Sequence, residues 1–160
     1  MIIFPNRVKL IRKHFFEFSF DSENDEDFIP DFEKFKQLSS AEQYYLASFY
    51  NWDDGTTVLN WIIDSPKCDI GTATMIFWMD EQDYFFDFTL ETVEEWARDV
   101  WKLLQKIISK MNNGEFKSSK FGFSPIKNGY RTDWPSATGI WELPGELTKG
   151  TSGIKPIALG

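Results

Sequence analysis

From Leu90 to Met111 apolar residues recur at every third or fourth position: Leu90, Val93, Trp96, Ala97, Val100, Leu103, Leu104, Ile107, Ile108 and Met111. On an α-helix that spacing makes one continuous stripe, which is stable in water only when a second layer covers it. It predicts a helix over about Thr92 to Met111. Thr92 and Glu95 stand at capping-box separation, and Glu94 and Glu95 sit at the positive end of the helix dipole. Lys106 and Lys110 sit near the negative end, and Asn112, Asn113 and Gly114 supply the stop. The lysines are read as dipole matching on a solvated face in preference to a basic binding ridge.

Further helical signals precede this one. Ser39 and Ser40 lie three residues before Glu42 and Gln43, and apolar positions then recur at helical intervals through Phe49, which predicts a helix from about 40 to 50. Asp53, Asp54 and Gly55 form a turn, with Asp54 the expected N-cap of a second helix that Pro66 ends. The run TATMIFWMD after Gly71 is apolar almost throughout and is read as a short buried helix. After Gly114, single aromatics alternate with Gly, Pro, Ser and Lys, which leaves room for short strands. The residues past Leu147 are rich in Gly and Lys, a composition that allows a loose tail.

Together these elements indicate a mainly α, compact multi-helix single domain spanning residues 1–160. A chain of this length buries roughly 70% of its unfolded surface, and 7 Trp, 16 Phe and 5 Tyr are far more apolar surface than a disordered chain carries. Cys68 is the sole cysteine and His14 the sole histidine, so neither a disulfide nor a tetrahedral zinc set is expected. Cys68 is read as a small packed residue. The N-terminal apolar run breaks at Pro5, Asn6 and Arg7, and no segment approaches the length of a membrane span, so the expected location is cytoplasmic.

Charge is arranged in blocks. The net charge of −8 conceals a run at 21–33 with seven acidic residues and no basic one, and a stretch at 42–99 with thirteen acidic residues against Lys67 and Arg98. Residues 101–131 carry seven basic residues against Glu115. The acidic excess argues against nucleic acid and anionic membranes as partners and favours a cationic protein. Candidate contacts are Asp21, Glu23, Asp25, Glu26, Asp27 and Asp31, with Asp80, Glu81 and Asp83 as a second patch. Tyr84, Phe85 and Phe86 are candidate aromatic anchors, although Phe85 and Phe86 fit a core better.

The densest chemistry lies in Asn51, Trp52, Asp53, Asp54 and Gly55, followed by Cys68, Asp69, Gly71 and Thr72. Three carboxylates there could hold Mg2+ or act as an acid and base pair. Capping explains them more economically, because short polar side chains before helices accept otherwise orphaned N–H groups. No phosphate-binding glycine loop, catalytic triad order or zinc motif is present. No catalytic residue, metal or cofactor is assigned.

These residues also carry a family likeness. YNWDDG followed by VLNWIIDSPKCDIGTATMIFW resembles the bacterial domain-of-unknown-function family 4274, with an Asn-Trp-Asp-Asp-Gly turn, a hydrophobic helix and a Cys-Asp-x-Gly-Thr-Ala turn. The likeness extends over roughly residues 38–147, leaving 1–37 as an N-terminal extension with the acidic run and 148–160 as the tail. It implies a mainly α bacterial cytosolic domain without established catalytic residues. Small acidic, cysteine-poor bacterial families of this kind often neutralise a cognate toxin. The leading expectation is therefore an immunity-type binding protein for a basic toxin domain, of undetermined oligomeric state. The alternatives are a Mg-dependent carboxylate hydrolase using Asp53, Asp54 and Asp69, and a structural or regulatory domain without catalysis.

Overall fold

A computed structural model describes residues 1–16, 30–79, 82–133 and 140–160. At its centre lies the run that reads as apolar throughout. It forms helix α5, Ile70–Met79, and every residue from Gly71 to Trp78 is buried. A helix apolar on all sides can only be a central element. It packs against α3 (Ser40–Phe49), α7 (Arg98–Asn112) and the short α8 (Gly145–Lys149), while α4 (Thr57–Asp64) bridges α3 and α7. The remaining α-helices among the described residues are α1 (Pro5–Ile11), continued by a π-turn over Arg12–Phe16, then α2 (Phe32–Lys36) and α6 (Gln82–Phe85). The fold is mainly α.

Helix α3 begins as its sequence requires. The Ser39 hydroxyl accepts the Glu42 N–H at 3.3 Å, and the Glu42 carboxylate accepts the Ser39 N–H at 2.7 Å, completing a capping box. The same carboxylate receives a two-point contact from the Arg7 guanidinium, which fastens α1 to the start of α3. Burial raises the Glu42 pKa, but Arg7 and the Ser39 groups outweigh it and hold the carboxyl below its ordinary value. A depressed carboxylate pKa adds stability above the unfolded value of about 4.3, and that stability is lost as pH falls through the folded value. Arg7→Met should therefore destabilise the protein by about 2 kcal/mol at pH 7, because it strands a buried charge. The deficit should shrink as pH falls past the unfolded value and through the depressed folded value of Glu42, where the carboxyl takes up a proton in the folded protein as well; denaturant titrations of both proteins at pH 7 and at successively more acidic pH measure this.

The long helix is shorter than its stripe. Thr92 does not cap it: its hydroxyl accepts the Thr89 N–H at 2.8 Å, and a 3-10 turn over Glu95–Ala97 intervenes before Arg98. Leu90 and Trp96 consequently stay exposed, while Leu103, Leu104, Ile107, Ile108 and Met111 face the core. Its end follows expectation. Gly114 donates to the Met111 carbonyl and Glu115 to the Lys110 carbonyl, the paired bonds of a Schellman cap. Lys106 binds Asn60 Oδ1 at 2.6 Å and Asp64 Oδ2 at 3.0 Å, so this lysine ties α7 to α4 as well as lying toward the helix's negative end.

Beyond Gly114 the chain runs extended and is held by isolated bridges, Asp69 with Ser118, Phe121 with Ile154 and Phe123 with Thr151. The expectation of a loose tail past Leu147 is not met. Residues 145–149 form α8, and Ile157–Ala158 (β2) pairs in parallel with Ile2–Ile3 (β1), Ile2 opposite Ile157. Backbone hydrogen bonds anchor a segment whose side chains alone gave little reason for order. Inside, the Trp78 indole donates to the Leu147 carbonyl at 2.8 Å, fixing α8 against the central helix.

Candidate functional site

The residues singled out by sequence fall into two turns with different tasks. In the first, the Asn51 side chain accepts the Asp53 N–H at 3.2 Å and starts a 3-10 turn over Trp52–Asp54. Asp54 is not the N-cap of α4; that position is Thr56, whose side chain makes no capping bond. Gly55, at φ +83°, reverses the chain in a region that an L side chain enters only with strain. Trp52 rests half-buried against the core, and Asp53 faces solvent. Burial and then the neighbouring Asp53 raise the Asp54 pKa, and burial together with Asp54 pushes the Tyr50 hydroxyl up to about 12.

The second turn is internal. Asp69 is fully buried, and its carboxylate accepts four hydrogen bonds. Oδ1 takes the N–H groups of Gly71 at 2.8 Å and Phe121 at 3.2 Å, while Oδ2 takes the Ser118 hydroxyl and the Lys120 N–H, both at 2.6 Å. One carboxylate thus starts α5 and fastens the 118–121 segment to it. Gly71 makes the approach feasible, since a Cβ there would lie 2.1 Å from the Phe121 carbonyl oxygen. Thr72 is buried within the same helical turn. Cys68 is buried, its thiol donates weakly to the Asp69 carbonyl at 3.7 Å, and burial reinforced by Asp69 drives its pKa up, which suppresses thiolate chemistry.

This geometry decides what the carboxylates can do. Four donors occupy the acceptor directions of Asp69, so a cation could bind it only by displacing bonds that hold two segments together. Among the described residues no three His, Cys, Asp or Glu side chains gather as a metal site.

The acidic candidates separate as well. Asp21, Glu23, Asp25, Glu26, Asp27, Asp80 and Glu81 lie outside the described residues. Asp31 caps α2, accepting the Lys34 N–H at 3.0 Å. Asp83 is exposed, whereas Phe85 and Phe86 are core residues. Tyr84 is the aromatic that reaches the surface. It packs on Phe88 with ring centroids 4.9 Å apart and stacks with Trp96 at 5.9 Å and 27°. Trp96 is 72% exposed, and its indole N–H donates to Glu94. Asp83, Asp87, Glu94, Glu95 and Asp99 are exposed in the same stretch of chain, as is Arg98. Sequence reasoning placed Trp96 on the buried stripe and so missed it. The displaced helix start is what turns it outward, and the TLET run gives no strong sign of that displacement.

Residues 39–112 match the family model described as Domain of unknown function (DUF4274). This is the family whose likeness the sequence motifs carry. The matched span opens at the N-cap of α3 and closes with the last residue of α7. The matched segment therefore includes both turns, the central helix and Trp96. It is shorter than the 38–147 span of the sequence likeness. The donors from Ser118, Lys120 and Phe121 that complete Asp69 lie outside it. No curated protein and no solved structure matches the chain.

Proposed function

We propose that this chain is a bacterial cytosolic binding protein of the immunity type, which receives a basic protein domain on the face built by residues 83–99. The observation that carries this reading is Trp96, 72% exposed, braced on Tyr84, bonded to Glu94 and set in a stretch of chain where Asp83, Glu95 and Asp99 are also exposed. A large aromatic held rigid in solvent has the form of an interface anchor, because little side-chain entropy is lost when a partner covers it. The surrounding negative charge would steer a cationic partner and speed its association. Domains that act on nucleic acid are themselves cationic, which makes a toxin of that class a suitable partner.

Growth and binding assays with the basic domain encoded beside this chain test the proposal. That domain should arrest growth alone, and co-expression of this chain should restore it. Trp96→Ala should weaken the complex by about 2 to 3 kcal/mol, roughly 30- to 150-fold in affinity, while Glu94→Lys with Glu95→Lys should mainly slow association. Absence of such a basic domain from the neighbouring gene, or a complex whose association rate ignores salt, would overturn it.

A further inference from the structure

Between α2, α3 and the C-terminal end of α4 lies a cavity of about 560 Å3, walled mainly by apolar surface and far from the face proposed for a protein partner in sequence. Its volume falls among those of small-ligand sites, which run from about 300 to 1,000 Å3. Phe32 and Phe35 form one wall. Trp61 extends the same aromatic wall, packed on both with ring centroids 4.9 Å from Phe32 and 5.7 Å from Phe35. Surfaces of this kind take a flat ring by offset or edge contacts.

The floor supplies the polar requirement. Gln43 is 1% exposed and lines the cavity. Its Nε2 donates to Ser65 Oγ at 2.9 Å, and that hydroxyl oxygen also accepts the Lys67 N–H at 3.1 Å. Gln43 Oε1 has no donor among the described residues. Buried polar atoms without partners are uncommon and unfavourable, and an apolar cavity beside one invites a ligand that supplies the missing bond. The torsion that sets the amide plane is soft, but Oε1 and Nε2 turn together, so presenting the oxygen to a ligand donor costs part of the Nε2–Ser65 Oγ bond.

The rim defines the charge of the ligand. Lys67 Nζ donates to the carbonyls of Lys36 and Leu38, Lys36 pairs with Glu33, and Asp64 pairs with Lys106. Lys36 and Asp64 are ion-paired, and Lys67 is held by two backbone carbonyls, which favours a neutral ligand over a charged one. We propose that this cavity binds a small, neutral, flat heteroaromatic ligand whose ring N–H donates to Gln43 Oε1.

Indole and 1-methylindole, which differ chiefly in that donor, are suitable probes for the full chain labelled with 15N. Indole should produce a saturable shift of the Trp61 indole resonance, identified by its loss in Trp61→Phe. 1-Methylindole should bind at least about tenfold more weakly. Gln43→Met removes the amide at similar length and should bring the two affinities to within about threefold. Phe32→Ala, a change at a half-exposed wall position, should weaken both probes while preserving their ratio, and keeps the test sound should Gln43→Met fail to fold. The proposal is overturned by absence of a saturable Trp61 shift up to about 5 mM indole. It is overturned equally by matched affinities in the native chain, or by a tenfold preference surviving in folded Gln43→Met.

Discussion

Asp69→Asn is expected to lower the stability of the folded chain by about 3 kcal/mol and its melting temperature by about 6 to 12 °C. The substitution is nearly isosteric, so the loss would come from hydrogen-bond polarity. The native carboxylate offers two acceptor oxygens to four donors. An asparagine keeps one acceptor and introduces an N–H2. If that group replaces Oδ1, it confronts the N–H groups of Gly71 and Phe121. If it replaces Oδ2, the Ser118 hydroxyl can rotate to accept, but the Lys120 N–H faces another donor. Either orientation orphans at least one buried donor and removes the charge that strengthened the remaining bonds. Urea denaturation gives the magnitude, and amide hydrogen exchange gives the place: Lys120 and Phe121 should lose protection before the interior of α7. A change below about 0.5 kcal/mol would show that Asp69 does not hold the two segments together.

Local chemistry is where sequence reading succeeded. Ser39 and Glu42 needed no partner beyond four adjacent residues to specify a capping box, and it forms. The apolar run of α5 required burial whatever surrounded it, and it became the centre. Asp69 was legible as a structural cap, but its donors from Ser118, Lys120 and Phe121 stand 49 to 52 residues away, and no spacing rule brings them together. Trp96 failed for a related reason. Its place on the stripe is real, yet the reciprocal Thr89 and Thr92 bonds delay the helix and put the indole in water. The cavity over Gln43 was hidden altogether, since α2 belongs to what sequence treats as an extension while Gln43 and Trp61 belong to the family segment.

Gly71→Ala should be the more damaging of two glycine substitutions in these motifs, at about 3 to 4 kcal/mol, and its sign is diagnostic. Within a helix alanine ordinarily outperforms glycine by about 1 kcal/mol, so helix propensity alone predicts stabilisation. At Gly71, however, the added Cβ would lie 2.1 Å from the Phe121 carbonyl oxygen and 2.7 Å from its carbon. Both are backbone atoms. The oxygen also accepts the Thr151 hydroxyl at 2.8 Å, and the Phe121 N–H is bound to Asp69, so the segment cannot retreat without breaking bonds on both sides. Gly55→Ala is the control: its φ of +83° imposes strain of about 1 to 2 kcal/mol, but among the described residues no atom lies within 4 Å to collide with. The close-approach account fails if Gly71→Ala proves milder than Gly55→Ala. Combining Gly71→Ala with Asp69→Asn discriminates further, because both release the 118–121 segment from α5. Once either has freed that segment the other has less left to disrupt, so the double variant should fall short of the summed losses by at least about 1 kcal/mol. Gly55→Ala, acting on a separate turn, should add to Asp69→Asn within about 0.5 kcal/mol.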